Sequence, residues 1–189
     1  MNLEEIIENL SGNKFQSKFL EQRKVFLWGP VHDESAKKIV NQLLYLDALD
    51  SKKEITLYIS SPGGVVISGM VIVDAMKMIS SPVRTVCMGM SASMGAIILS
   101  QGEKGKREIW PSGRVMIHQP SIGGAYGQAS DLEITARQMQ KTKEESAQLL
   151  ADATGKSFDQ IMKDFDRDYW LDAQESLDYG IVDKITKKI

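Results

Sequence analysis

The sequence predicts an α/β fold with parallel strands, and three observations predict it. Strand-like and helix-like stretches alternate through the first hundred residues, as strands joined by crossover helices require. The apolar run Val83–Met88 is long enough for a buried strand and too short for a typical helix. Neither an internal repeat nor a linker divides the 189 residues, a length usual for one domain with a substantial core.

Each element has a local justification. Residues 1–20 are polar and weakly patterned, and read as a mobile or partner-dependent N-terminal segment. Lys24–Trp28 reads as a strand stopped by Gly29-Pro30. Asp33 is placed to cap a helix whose apolar residues Ile39, Val40, Leu43, Leu44 and Leu46 recur at helical spacing. Ile55–Ile59 is a short strand ending in the turn Ser60-Ser61-Pro62-Gly63-Gly64, and a helix through Ile67, Met70, Ala75 and Met78 follows. Val83–Met88 runs into Gly89 and a helix that starts near Ser93. Glu108–Trp110 and Arg114–His118 read as strands around the turn Pro111-Ser112-Gly113, and Gly105-Lys106-Arg107 as a solvated turn. The glycine-rich stretch 121–127 precedes a long helix from about Ala129 to Ala153, closed by Thr154-Gly155. Together, residues 121–153 form an element that projects from the globule. Ser157 with Gln160, and Asp172 with Glu175, have capping-box spacing and start the last two helices. Gly180 ends the last of them before a strand over Ile181–Ile185.

Composition excludes several classes of function. A net charge of −2 offers no basic field to nucleic acid or to an anionic membrane. The single cysteine, Cys87, cannot form an intrachain disulfide, which fits a reducing compartment. The first ten residues hold three glutamates and no Lys or Arg, unlike the basic start of a secretory signal. No apolar run approaches the ~18 residues of a membrane span. The expected location is therefore the cytoplasm.

Only two histidines are present, so the search for a general base is short. His32 follows Gly29-Pro30 and suits an exposed loop. His118 ends an apolar strand and opens on a flexible loop, where a rigid scaffold presents active residues. A nucleophile in a similar place is Ser93 in Gly89-Met90-Ser91-Ala92-Ser93-Met94-Gly95, leaving a buried strand through small residues and entering a helix. Small residues serve close backbone packing equally well, a description that fits Gly89, Ser91 and Ala92. No pattern selects a third partner among 25 acidic residues, although Asp168 lies attractively between a helix end and a strand-like segment. The chain order Ser, His, Asp differs from that of an α/β-hydrolase. Gly63-Gly64 at a strand end is either a tight loop or a donor of unhindered N–H groups to an oxyanion. No phosphate loop and no metal-ligand spacing occurs, and the ten methionines suit gap filling in a core.

Three segments carry a resemblance. They are Leu57-Tyr58-Ile59-Ser60-Ser61-Pro62-Gly63-Gly64, Cys87-Met88-Gly89 through Ser93-Met94-Gly95-Ala96, and Arg114-Val115-Met116-Ile117-His118-Gln119-Pro120. In that order they closely resemble the Clp protease family of serine peptidases. The likeness runs from about Phe26 to Asp183 and includes Tyr126 to Asp131, Arg167-Asp168 and Tyr179 to Asp183. It implies Ser93 as nucleophile, His118 as base, Asp168 as the residue orienting the base, and an oxyanion hole from the N–H groups of Gly64 and Met94. It implies a crotonase-like ββα superhelix over residues 21–189, an axial segment over residues 1–20, and no cofactor. It implies polypeptide substrates, two stacked heptameric rings interdigitating through the long helix, and a hexameric ATPase that unfolds and feeds substrate. Asp166 and Arg167 would lie near the ring junction, and Leu44, Tyr58 and Met78 would line the ATPase docking pocket.

Two departures from the family pattern stand out. The region Leu10-Ser11-Gly12-Asn13-Lys14-Phe15 lacks the Tyr-Asp pair usual before the first helix, and Met78 replaces a typical Phe. They leave room for a second reading, a largely structural ring subunit active only in mixed rings with a paralogue. A third reading, an acyl-CoA enzyme of the wider crotonase fold, would not need the Ser/His pair.

Overall fold

The computed structural model describes residues 16–124 and 126–187. The region Leu10–Phe15, and most of the proposed N-terminal segment, lie outside the described residues. A helical stretch α1, described over residues 16–21, precedes β1 (Lys24–Trp28). Helix α2 (Asp33–Leu49), β2 (Ile55–Ser61), α3 (Val66–Met78), β3 (Val83–Ala92) and α4 (Met94–Ser100) then alternate as expected. β4 (Arg107–Ile109), β5 (Arg114–Ile117), α5 (Ala129–Thr154), α6 (Phe158–Asp164), β6 (Tyr169–Leu171), α7 (Ala173–Tyr179) and β7 (Lys184–Ile185) complete the order.

β1, β2 and β3 are parallel neighbours, and β3 is where the sheet branches. Its first half, Thr85 to Cys87, pairs in parallel with β4, and its second half, Met90 to Ala92, pairs in parallel with β5. β4 and β5 thus follow one edge of β3 in succession, and Pro111-Ser112-Gly113 makes a jog between them instead of a hairpin. The break matches a bulge against β2: Ile59 faces Cys87, but Ser61 already faces Ser91. Gly89 sits in this extra span with φ 73°, a conformation open to glycine at little steric cost. β7 extends the β4 edge, while β6 pairs antiparallel with β5.

Alternation along the strands sorts the two faces of the sheet. Val25, Leu27, Leu57 and Ile59 enter one hydrophobic cluster with Ile39, Leu43, Ile72 and Val73 of α2 and α3. Each such fully buried aliphatic side chain contributes roughly 1.5–3 kcal/mol. On the other face Phe26 stacks on Tyr58 at 5.2 Å, with Phe19 and Trp28 edge-on to Phe26. Beyond Tyr58 on this face, Glu108 takes Arg84 at 2.7 and 2.6 Å and Lys184 at 2.7 Å.

The termini of the helices show where local reading succeeds and where it stops. Gly155 and Gly180 adopt the left-handed cap with φ 76° and 90°, and Asp172 with Glu175 forms a complete capping box. Ser157 Oγ accepts from the Gln160 N–H at 3.2 Å, but the Gln160 side chain turns to Asp164. α2 is capped by His32, not Asp33: His32 Nδ1 accepts from Ser35 N–H and Ser35 Oγ accepts from His32 N–H. Asp33, one residue inside, instead accepts from the Ser68 hydroxyl of α3. The far end of α2 is closed by Arg23, whose guanidinium donates to the carbonyls of Leu46, Asp50, Lys53 and Glu54.

Arg107 overturns the reading of Gly105-Lys106-Arg107 as a solvated turn. Its side chain is 1% exposed, bonded to both carboxylate oxygens of Asp183 at 2.9 and 2.6 Å and to the Ala153 carbonyl at 2.8 Å. Alternation in β4 puts Arg107 and Glu108 on opposite faces of the sheet, both buried, and a buried guanidinium must then be paired. The bond to Ala153 also fastens the root of α5 to the sheet. Beyond that root α5 is mainly exposed: its buried residues are Ser146, Ala147, Leu150 and Ala151. Its 26 residues measure about 39 Å at 1.5 Å per residue, so the N-terminal half projects. The final strand is shorter than expected, with Ile181 and Val182 buried as coil and only Lys184–Ile185 paired.

Burial pushes the Asp183 carboxyl up, but the bonds and charge of Arg107 outweigh it and hold the folded value below the ordinary one. A depressed carboxylate stabilises fully above its unfolded value near ~4 and loses that contribution as pH falls through the folded value. Asp183→Asn should therefore lower the unfolding free energy by about 3–5 kcal/mol at pH 7. The gap from wild type should narrow below pH ~4, as urea titrations at several pH values would measure.

Candidate active site

Strand register alone brings three side chains together. Ala92 of β3 pairs with Met116 of β5, and the next N–H, that of Ser93, donates to the Met116 carbonyl at 2.8 Å. Across β5, Ile117 pairs with Tyr169, so His118 faces Asp168 one position further along the antiparallel ladder. Ser93, His118 and Asp168 thus form one row across three strand ends.

His118 Nε2 lies 2.8 Å from Ser93 Oγ and its Nδ1 lies 2.9 Å from Asp168 Oδ1. An ionised carboxylate only accepts, so Nδ1 carries the proton and Nε2 of the neutral ring accepts the Ser93 hydroxyl proton. The imidazole is half-buried, whereas the Asp168 side chain is 61% exposed. Among the described residues, the Asp168 carboxylate bonds to His118 alone.

Ser93 itself is held in an uncommon backbone conformation, φ 54° and ψ −121°, immediately before α4. A non-glycine residue there is strained, and a sharp strand-to-helix turn of this kind presents a hydroxyl clear of its neighbours. Ser91, two residues earlier, is fully buried. Cys87 on the same strand is also buried, and burial pushes its thiol up to about 11, so it stays protonated and inert.

The turn after β2 closes over Ser93. A Cβ at Gly63 would stand 2.6 Å from Ser93 Cβ, 2.7 Å from the Ala92 carbonyl oxygen and 3.0 Å from the Met94 nitrogen. Gly64 follows with φ 147°, joined by a bridge to Val31, and its missing side chain lets the Val31 backbone approach. The N–H groups of Gly64 and Met94 donate to no carbonyl among the turns and caps of the described residues. Met94 N–H opens α4 directly after Ser93, and Gly64 N–H follows the Gly63 turn that meets Ser93, so these two are the candidate donors for a tetrahedral oxyanion of acyl transfer. No cluster of metal-ligating side chains occurs among the described residues.

The remaining predicted residues fall in two places. Asp166 sits beside the row, accepting from Gln119 Nε2 at its carbonyl (2.7 Å) and at Oδ1 (3.0 Å). The Arg167 side chain is 93% exposed, with its Nε 3.9 Å from Asp166. Leu44 and Met78 are exposed on α2 and α3, while Tyr58 is buried on the opposite face of the sheet. Within one chain these three do not converge. Sequence reasoning singled out neither Gln119 nor the contact of Gly63 with Ser93. The signals for Gln119 were its place after a strand-end histidine and inside the family-like segment Arg114 to Pro120.

The family model described as Clp protease matches residues 8–189. The chain is 49% identical over 186 residues to the ATP-dependent Clp protease proteolytic subunit of Bacteroides fragilis, covering 98% of this chain and 89% of that protein. It is 48% identical over 186 residues to the protein of the same name from Bacteroides thetaiotaomicron, covering 84% of it.

Because Gly63 meets Ser93 Cβ and the Ala92 carbonyl, a methyl group at that position must displace the turn. Gly63→Ala should leave the circular dichroism spectrum unchanged. It should slow modification of Ser93 by an organophosphorus fluoride by about 100-fold, the size of one lost oxyanion donor.

Proposed function

The chain belongs to the Clp protease family, and on that premise we propose that Ser93, His118 and Asp168 are the catalytic triad of its serine peptidase activity. Its function is that of the proteolytic subunit of an ATP-dependent Clp protease. The observation that carries the triad assignment is a single imidazole bonded to both partners, at 2.8 and 2.9 Å. His118 takes the Ser93 proton as Oγ attacks a peptide carbonyl, and Asp168 fixes the tautomer and stabilises the imidazolium. The N–H groups of Gly64 and Met94 receive the oxyanion, each typically worth ~3–4 kcal/mol of barrier. The imidazolium then protonates the leaving amine. Water, deprotonated by His118, releases the acyl-enzyme, so the chemistry asks for no cofactor.

The same reading extends to assembly. Residues 21–189 form one catalytic domain, and copies stack as two heptameric rings with Ser93 facing the interior. The projecting half of α5 supports interdigitation between rings, since its exposed Leu132 and Ile134 offer apolar contact. A hexameric ATPase feeds unfolded polypeptide, and the complex works in the cytoplasm; no helix among the described residues is long and apolar enough to cross a membrane. Because Tyr58 lies on the face of the sheet opposite α2 and α3, a docking pocket shared with Leu44 and Met78 takes two neighbouring copies. Met78, 68% exposed, offers that pocket a flexible apolar wall in place of a rigid ring. That feature favours a second reading, in which a paralogue in a mixed ring supplies the main docking face.

A fluorophosphonate should modify Ser93 and no other serine in the assembled protein, as peptide mapping by mass spectrometry would establish. Label on Ser91, or none, removes the assignment. For assembly, Arg167→Glu should split or weaken the double ring and depress peptidase activity with the triad intact. An unchanged sedimentation coefficient and rate would return Arg167 to an ordinary surface charge worth under ~1 kcal/mol.

A further inference from the structure

Asp168 is poorly secured for a residue that must orient a base. Its carboxylate is 61% exposed and, among the described residues, bonds only to His118. Its position depends instead on the short span Asp166–Asp168, which runs between two fixed points. On one side Phe165 is fully buried in the core, and on the other Tyr169 begins the ladder with Ile117. Gln119, the residue after His118, bonds at three points to this span and to Phe165 where it begins. Its N–H donates to the Phe165 carbonyl at 2.6 Å, and its side-chain Nε2 donates to the Asp166 carbonyl at 2.7 Å and to Asp166 Oδ1 at 3.0 Å.

Resting on the triad assignment above, we propose that Gln119 is a positioning residue that sets the distance between His118 and Asp168. The amide ties the strand end carrying the base to the loop carrying its partner, so the two cannot drift apart independently. It acts only through Asp168: its own bonds go to Phe165 and Asp166 and not to Ser93. Asp166 completes the clasp: Lys143 Nζ of α5 and Arg167 Nε approach its carboxylate only at 3.9 Å, outside hydrogen-bond range. The neutral amide of Gln119 therefore supplies the clasp's short bonds, and those bonds have direction.

The experiment is a double-mutant cycle on cleavage of a short fluorogenic peptide by the assembled enzyme. Gln119→Met keeps the length and removes the donor. It should lower kcat about 10- to 100-fold, the scale of a misplacement near 1 Å, with KM little changed. With Asp168→Ala already present, adding Gln119→Met should change kcat by less than about twofold, because nothing remains to be positioned. A residue that only supports folding or ring assembly would cost the same factor in both backgrounds, and that result overturns the proposal. So does an undiminished kcat in the single variant. Sedimentation and fluorophosphonate titration of Ser93 normalise each rate to assembled, competent sites. Should Gln119→Met fail to assemble, Gln119→Asn, with the amide one methylene short, takes its place under the same criteria. Failure of wild-type Ser93 to label would sink the triad itself, whereas labelling with an additive cycle sinks the clasp alone.

Discussion

The backbone ladder of β5, shared between β3 on one side and β6 on the other, is the constraint from which the site follows. Ala92 against Met116, and Ile117 against Tyr169, leave no freedom in which residues come next. A slip of one residue on either side would point Ser93 or Asp168 at the wrong face, because side chains alternate along a strand. Four residues of β5 therefore do more for the chemistry than any contact among the three side chains.

That ladder is possible only because β3 changes partner halfway. The bulge around Gly89 and the jog from Trp110 to Gly113 turn the second half of β3 away from β4 and toward β5. Two ion-pair groups hold the first half still, one on each face. Glu108 with Arg84 and Lys184 ties β3, β4 and β7 on one face, and Arg107 with Asp183 ties β4 to the segment before β7 on the other. Burial alone would raise the Glu108 carboxyl, but the two cations outweigh it and keep it below its ordinary value. The row of Ser93, His118 and Asp168 is thus cantilevered from a charged, rigid base.

Much of this was legible in the sequence, and most of the remainder failed for one physical reason. Strand and helix positions followed from periodicity, and Gly155 and Gly180 announced their left-handed caps. Ser93 and His118 stood out because each leaves a strand into a loop or helix. What stayed hidden were bonds between residues distant along the chain. Arg107 and Asp183 are 76 positions apart, and Arg23 reaches a carbonyl 31 positions away. Local pattern holds no trace of either, so Arg107 read as a solvated turn and the closing of α2 went unassigned. By local pattern Asp168 was one carboxylate among many, named only through the family resemblance, and the β5–β6 register is what sets it opposite His118. His32 displaced Asp33 as the cap because histidine caps through a ring nitrogen, a use that the usual Ser, Thr, Asp and Asn preference does not flag.

The conformation of Ser93 places activity and stability in opposition. A left-handed φ of 54° on a residue with a Cβ costs on the order of 1–3 kcal/mol, and the surrounding ladder has to absorb it. Glycine would relax that position, so the change that eases the backbone there also removes the proposed nucleophile. Drift toward robustness alone would therefore tend to silence the enzyme. A thermostability screen blind to turnover would enrich inert subunits, and any programme to harden the protein must hold residue 93 fixed and seek its gains elsewhere.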